Sequence, residues 1–276
     1  MSILQGSAGR NAWVTLIVMS AACGGHPPPA MPTPPATFLE AMTWQEAEHA
    51  LTPETIVVIP IGAAAKEHGP HLRLANDWIL ADYLRRRLSE RTPVVVAPIV
   101  GLSYYPAFVE YPGSIGLRLE TARDVLVDVV RSLARHGPRR FYALNTGVST
   151  VKALEPAAEL LAADGILLHF TNLGHALGPI EKQLAQQEGG THADEIETSM
   201  MLFLAPETVD MPRAVKDYHP GSGPLTRDPH GPGVYSPTGT WGDPTLATRA
   251  KGERIVHALV DALVADVEAL RRAPLP

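Results

Sequence analysis

Residues 55–77 read T-I-V-V-I-P-I-G-A-A-A-K-E-H-G-P-H-L-R-L-A-N-D. The first seven residues are almost all β-branched and predict a buried strand that ends at Gly62. The loop that follows is dense in titratable side chains, namely Lys66, Glu67, His68, His71 and Asp77. Because α/β proteins place metal and acid–base groups at the carboxyl ends of their strands, this stretch predicts a metal or acid–base site. The alternative is a polar surface loop with two solvated histidines.

Length and composition limit the kinds of function that the chain can have. At 276 residues it can bury a full hydrophobic core. The formal net charge of −6, the sequence pI of about 6.0 and the absence of a basic stripe argue against a nucleic-acid-binding surface. The single cysteine, Cys23, excludes an intramolecular disulfide and a multi-cysteine metal site. A metal would therefore be held mainly by His, Asp and Glu, which suit zinc, manganese or iron.

The N-terminal segment is typical of an exported protein. Residues 1–22 combine Arg10, a short apolar run and small residues before Cys23, which is the pattern of a signal peptide with a lipoprotein-like cleavage site. Residues 23–37 are rich in proline and predict an extended tether. We expect a periplasmic or cell-envelope protein that contacts the membrane only through a lipid anchor on Cys23. The alternative is a cytosolic protein with a disordered N-terminal tail.

The rest of the chain, residues 38–276, alternates strand-like and helix-like segments and shows no break between domains. Strands are predicted at residues 55–61, 93–99, 140–144 and 166–170. Helices are predicted at residues 77–89, 119–136, 150–163, 193–204 and 244–272. Residues 212–244 are rich in Gly and Pro and predict a long irregular loop of the kind that is usually functional. This order predicts an α/β fold with a mostly parallel sheet covered by helices on both faces.

A second chemically loaded segment is T-H-A-D-E-I-E-T-S, residues 191–199. A helix beginning near Ala193 would place His192 close to its N-terminus. Asp194 and Glu195 are most simply read as first-turn residues that cap the helix and complement its dipole. Glu197 precedes a small and apolar run, T-S-M-M, which predicts burial, and a buried carboxylate needs a cation or a hydrogen-bond network.

Five segments in order resemble the motifs of the creatininase (creatinine amidohydrolase) family. The first is K-E-H-G-P-H-L-R-L-A-N-D at residues 66–77, and the second is Y-P-G-S-I at 111–115. The third, N-T-G-V-S-T at 145–150, occupies the place of the family's N-G-H-G-G-N motif. The fourth is H-A-D-E-I-E-T-S at 192–199, and the last is G-D-P with A-T and K-G at 242–252. The resemblance thus covers nearly the whole of residues 38–276.

This resemblance implies a three-layer αβα fold, frequent homo-oligomer formation and a two-metal centre that hydrolyses cyclic amides and related C–N bonds. By motif position, His68 corresponds to a metal ligand and Asp77 to the bridging aspartate. Glu197 corresponds to a carboxylate at the metal centre, and His192 to a histidine that contacts substrate or moves a proton. Shared carboxylates that hold two cations suit a centre that activates water and polarises a carbonyl.

Two positions depart from the family pattern, and a third departs from the pattern of some members. Lys66 stands where a metal-binding glutamate is expected, and Gly147 stands where N-G-H-G-G-N has its histidine. Ser149 stands where some members carry a glutamate. The Lys66 charge could replace one cation and would favour a single-metal centre. Replacement ligands would come from the remaining histidines, each of which is individually more typical of a surface or hydrogen-bonded core position: His71, His169, His175, His219 and His230.

We therefore predict a metal-dependent amidohydrolase that acts on a small molecule and uses one or two zinc or manganese ions. His68, Asp77 and Glu197 are the predicted ligands, with His192 as the acid–base residue and Glu67 as a catalytic residue or fourth ligand. The predicted substrate-binding residues are Lys66, Ser149, Tyr235 and Trp241. The alternative is a catalytically inactive lipoprotein that keeps the fold as a binding or scaffold module. A hydrolase with Ser149 as its nucleophile is a third hypothesis, but N-T-G-V-S-T lacks a nucleophile-elbow pattern.

Overall fold

Strand β1, Ile56–Ile61, lies inside the sheet, as its β-branched run predicts. The computed structural model describes residues 37–276, so the predicted signal segment and nearly all of the tether lie outside the described residues. The other strands of this sheet are β2 at Val95–Val96, β3 at Arg140–Asn145 and β4 at Leu167–Phe170. All pairings are parallel and the strand order is β2-β1-β3-β4.

Seven α-helices connect and cover these strands among residues 37–276. They are α1 Trp44–Ala50, α2 Asn76–Ser89, α3 Leu119–Ala134, α4 Val151–Ala162, α5 Leu173–Leu184, α6 Glu195–Leu204 and α7 Arg249–Arg272. Single 3-10 turns occur at Leu39–Ala41, Pro106–Phe108, Pro206–Thr208, Met211–Arg213 and Pro244–Leu246. Within this part of the chain, no helix combines the length and apolar character needed to cross a bilayer.

The sheet separates two hydrophobic cores because successive side chains of a strand point to opposite faces. Ile56 and Val58 of β1 pack with residues of α2, α5, α6 and α7 on one face. Val57 and Ile59 pack with residues of α3 and α4 on the other face. The predicted α/β fold, a parallel sheet between two helical layers, is confirmed.

Several predicted boundaries differ from the structure. The strand predicted at residues 93–99 is limited to Val95–Val96, because Pro60 of β1 has no N–H to continue the ladder, and the next bond to β1 is donated by Val100 rather than by Ile99. The helix predicted from residue 244 begins instead at Arg249, after Thr248 adopts an extended conformation and caps it. Helices α1 and α5 were not predicted. The long loop also contains two short parallel strands, β5 Leu225–Thr226 and β6 Val234–Tyr235.

Candidate metal centre

The loop between β1 and α2 is held in place by main-chain hydrogen bonds. The Lys66 N–H donates to the Leu74 carbonyl oxygen at 2.9 Å, which closes the loop on itself. The Glu67 N–H donates to Ser114 Oγ at 2.9 Å, so the Y-P-G-S-I turn supports the loop from a distant part of the chain. These contacts direct three consecutive side chains, Lys66, Glu67 and His68, toward one buried region near the start of α2.

Lys66 and Asp77 form a buried ion pair at the base of this loop. Lys66 Nζ lies 2.7 Å from Asp77 Oδ2, and the two residues are 5 % and 1 % exposed. The ammonium also lies 4.7 Å from the ring centroid of Phe108 and 5.7 Å from that of Tyr105, which is within cation–π range. Burial alone would raise the pKa of Asp77, but the charges of Lys66 and His68 hold it below its ordinary value.

His68 lies between the main chain of the loop and this carboxylate. Its Nδ1 is 3.0 Å from the Lys66 carbonyl oxygen, and its Nε2 is 2.8 Å from Asp77 Oδ1. The ring is almost wholly buried and lies 4.9 Å, centroid to centroid, from the ring of His192. The two motifs that the sequence singled out therefore meet at this pair of histidines.

The second motif supplies His192 and Glu197 through the start of α6. Asp194 is the N-cap, and its Oδ1 accepts hydrogen bonds from the N–H groups of Ile196 and Glu197 at 3.0 and 2.9 Å. The capping role predicted for Asp194 is thus confirmed, although the helix begins at Glu195 rather than near Ala193. Burial, aided by the Glu197 charge, raises the pKa of Asp194 to about 7.

The ring of His192 is fixed by two carboxylates. Its Nε2 lies 3.0 Å from the carbonyl oxygen of Glu67 and 3.2 Å from Glu67 Oε2, while its Nδ1 lies 3.6 Å from Glu197 Oε2. Burial would lower the pKa of His192, but Glu67 and Glu197 outweigh it and raise the pKa above its ordinary value. Glu197 Oε2 also accepts a hydrogen bond from the Ala193 N–H at 2.6 Å. Ala193 itself has a positive φ of 48°, which turns the chain into α6.

Three of these side chains fit a single divalent cation. One ligand atom from each of His68, His192 and Glu197 lies within 4.8 Å of the others. Two imidazoles and one carboxylate are a donor set that suits zinc, and three protein ligands leave a position open for water or substrate. The contact between Glu67 Oε2 and His192 Nε2 is the kind of carboxylate–histidine interaction that orients a metal-binding imidazole.

Asp77 lies beside this group. Its carboxylate meets Lys66 on one oxygen and His68 on the other. The sequence placed Asp77 among the ligands and gave His192 a proton-transfer role. In the structure, the His192 ring rather than the Asp77 carboxylate faces Glu197. Whether Asp77 or His192 binds a metal stays a prediction.

A cavity of about 580 Å³ adjoins the group formed by His68, His192 and Glu197. His192, Glu197 and Lys66 lie in its wall, together with Phe108, Ser149 and Trp241. Most of the exposed wall is apolar, and the volume is in the range of small-molecule sites. The predicted substrate-binding residues Ser149 and Trp241 thus lie in this wall, whereas Tyr235 is not among the lining residues and packs near His219 with ring centroids 5.9 Å apart.

The other histidines considered as replacement ligands do not join the group among the described residues. His71 is buried, and its Nε2 lies 2.8 Å from Thr198 Oγ1. Burial lowers the pKa of His71 to about 4. His169, His175, His219 and His230 are exposed.

Two contributors to the site were missed by the sequence reasoning. Phe108 packs against His192 with the rings tilted and their centroids 4.3 Å apart, and it also covers the Lys66 ammonium. Lys152, at the start of α4, lines the cavity and is exposed. Phe108 lies in a short irregular segment, where no periodicity indicates which way an aromatic side chain points. Lys152 could have been suspected, since it lies two residues after the end of the N-T-G-V-S-T motif.

Comparisons with known protein families and with known sequences point to the same family. A family model described as creatininase, creatinine amidohydrolase, matches residues 40–267. Creatinine amidohydrolase from Pseudomonas putida is 28% identical over 250 residues, covering 83% of this chain and 95% of that protein. The 3-dehydro-scyllo-inosose hydrolase of Thermotoga maritima is 28% identical over 268 residues, covering 84% and 83%. A mycofactocin precursor peptide peptidase from Mycobacterium tuberculosis is 31% identical over 221 residues, covering 74% and 81%.

Solved structures agree with this result. A structure described as creatininase Mn has a TM-score of 0.72 at 26% identity and covers 86% of this chain and 100% of that chain. A mutant creatininase of the Zn–Zn type has a TM-score of 0.71 at 26% identity and covers 86% and 99%. Since the family model spans nearly all of the described residues and the fold is shared, the chain belongs to the creatininase family of hydrolases.

Proposed function

We propose that this chain is a metal-dependent amidohydrolase that cleaves a C–N bond in a small substrate. The observation that carries the proposal is the convergence of His68, His192 and Glu197, with ligand atoms within 4.8 Å of one another, in and beside the wall of a partly open cavity. Relatives described as a creatinine amidohydrolase and as a peptide peptidase support action on amide bonds. Relatives described as Mn and Zn–Zn creatininases support zinc or manganese as the metal.

The residues of the candidate site have different proposed roles. His68, His192 and Glu197 would hold the cation, and Glu67 would orient His192 through its Nε2. A divalent cation at this place supplies a Lewis acid that activates water and polarises a carbonyl oxygen. The apolar wall formed by Phe108 and Trp241 would limit bulk water around the substrate.

Two alternative roles are proposed for His192, namely metal ligand and acid–base residue. As a ligand, it would be needed to retain the metal. As the acid–base residue that the sequence predicts, it would be needed for proton transfer to the leaving nitrogen but not for metal retention. Metal analysis of His192→Ala separates the two versions, because only the first expects the metal to be lost.

The proposal is tested by metal analysis and by hydrolysis of a panel of cyclic and linear amides, creatinine included. Purified protein equilibrated with zinc or manganese should retain metal and lose activity on chelation. His68→Ala and Glu197→Gln should lower kcat/KM by about a hundredfold or more and lower metal content. The matched control is His169→Ala, which removes an exposed histidine of β4 and should leave both quantities unchanged.

Retention of no metal, together with a melting temperature that is unaffected by chelator, would contradict the hydrolase proposal. That result would favour the binding or scaffold module instead. In that case the cavity would bind a ligand without turning it over.

A further inference from the structure

We infer that this centre accepts one divalent cation and not two, because the ammonium of Lys66 permanently occupies the position of a second positive charge. The inference rests on the proposed metal site and concerns how many ions that site holds. It assigns Lys66 a role as a built-in counter-ion of Asp77, rather than as a substrate-binding residue alone.

The position of the ammonium is fixed from several sides. Its Nζ forms an ion pair with Asp77 Oδ2 at 2.7 Å, and both side chains are almost completely removed from solvent. The rings of Phe108 and Tyr105 flank it at 4.7 and 5.7 Å. Removing a buried ion-pair partner leaves an uncompensated charge, so neither Lys66 nor Asp77 can readily leave the pair.

Each oxygen of the Asp77 carboxylate already faces a side chain of the loop. Oδ1 lies 2.8 Å from His68 Nε2, and Oδ2 has Lys66 as its ionic partner. Apart from that ion pair, Oδ2 is a buried atom without a hydrogen bond among the described residues. A second divalent ion on Asp77 would have to displace the ammonium or lie against it, and like charges at such short range repel strongly in a buried site.

The remaining donors suffice for one ion only. His68, His192 and Glu197 form the single group of at least three potential ligand residues found among residues 37–276. Three protein ligands with one open position are the normal arrangement of a mononuclear catalytic site. A second ion would need further carboxylates or histidines. Of the two carboxylates beside this group, Asp77 is paired with Lys66, and Glu67 contacts His192 Nε2 and accepts a hydrogen bond from the Gly69 N–H.

The test is metal stoichiometry with a matched pair of charge reversals. Each protein is stripped of metal, equilibrated with excess zinc, freed of loosely bound ions and measured for zinc per chain. We expect one ion in the parent protein and two in Lys66→Glu, because the variant offers two neighbouring carboxylates, Glu at position 66 and Asp77, in place of an ion pair. The control Lys152→Glu makes the same charge change at an exposed side chain in the wall of the same cavity, where Asp77 is paired with Lys66 and not with Lys152, and should stay at one ion.

A second readout does not depend on counting ions. Without metal, two buried carboxylates repel, so metal-free Lys66→Glu should melt at a lower temperature than the parent. Zinc should then raise its melting temperature by more than it raises that of the parent or of Lys152→Glu. Lys66→Glu with one ion and a zinc-dependent rise equal to that of the parent would overturn the inference.

The parent protein alone also decides the matter, whatever the folding of the variants. Two zinc ions per parent chain would overturn this inference and leave the proposed function standing. No zinc at all would overturn both. One zinc ion supports both, and the two variants then show whether Lys66 is the cause.

Discussion

Glu195 is a buried carboxylate whose partner comes from a distant part of the chain. It is fully buried at the start of α6, forms an ion pair with Lys251 Nζ, and accepts hydrogen bonds from the N–H groups of Gln186 and Gln187 at 2.8 Å each. The sequence assigned it, with Asp194, to capping. Asp194 does cap the helix, but Glu195 instead joins α6 to α7 and to the segment before α6.

The ion pair predicts a selective loss of stability on neutralisation. Glu195→Gln keeps the shape of the side chain but leaves Lys251, which is largely buried, without its carboxylate. We expect a loss of about 3 kcal/mol in the free energy of unfolding, measured by denaturant titration. Glu188→Gln, which breaks an exposed pair with Lys216 at 3.4 Å, should change it by less than about 0.5 kcal/mol. Equal midpoints for the two variants would show that the buried pair contributes nothing.

At the scale of single residues, the sequence indicated which side chains belong to the candidate site but not which of them contact each other. It identified Lys66 as the unusual residue of its loop, and it selected His68, His192 and Glu197. It could not foresee that Lys66 meets Asp77 or that Phe108 covers both Lys66 and His192. These contacts depend on side-chain directions in irregular segments, which no periodic pattern encodes.

The packing of α6 on α7 depends on a very close approach at Gly252. A Cβ atom built at Gly252 would lie 1.8 Å from the carbonyl oxygen of Ser199, so the two helices can touch only where α7 has no side chain. Helix α6 contains Glu197, and α7 packs against α6. The K-G pair of the last motif thus has a structural explanation, since Lys251 pairs with Glu195 and Gly252 allows the contact.

Gly252→Ala should therefore force the two helices apart. We expect a loss of about 3 kcal/mol in the free energy of unfolding, with a fall in zinc affinity if α6 shifts. The control Gly174→Ala lies in α5, where the nearest atom to a new Cβ is 3.5 Å away, and it should be neutral or stabilising by up to about 1 kcal/mol. Denaturant titration and zinc binding measure both effects, and a stable Gly252→Ala protein would refute the close-contact explanation.

Most strands and helices were predicted within a few residues, because their apolar spacing is regular. Helix α5 was missed, since it contains Gly174, Gly178 and Pro179, which are poor helix formers. Two signals were present in hindsight. Asn172 is an N-cap that accepts from the His175 N–H at 3.4 Å, and apolar residues recur at helical spacing and pack on the core at Leu173, Leu177, Ile180 and Leu184.

At the scale of the whole molecule, the parallel sheet determines where the site forms. Strands β1 and β3 pair in register, with Ile61 opposite Asn145, so the loop after β1 and the N-T-G-V-S-T segment leave the sheet at the same edge. The loop that contains Trp241 then closes over this edge through an antiparallel bridge between His192 and Trp241. Motifs more than a hundred residues apart thus come to line one cavity.

Export and lipidation stay predictions, because residues 1–36 lie outside the described residues. If Cys23 carries a lipid, the parent protein should be found in the membrane fraction of a bacterial host and Cys23→Ser in the soluble fraction. Zinc content serves as the control, since the substitution lies outside residues 37–276, which contain the candidate metal site. Parent protein found only in the soluble fraction would contradict the lipid anchor. Homo-oligomer formation likewise stays a prediction.

The sequence alone determined the parallel α/β class, the order of the four strands of the main sheet and of five of the seven helices among residues 37–276, and the motif positions from which the candidate site is built. These features follow from local patterns, namely β-branched runs, helical apolar spacing and short motifs at strand ends. Only the tertiary structure decided which charges meet. It placed the Lys66 ammonium on Asp77 and the rings of His68 and His192 against each other, because electrostatic pairing in a buried site depends on distances of a few ångström between distant segments.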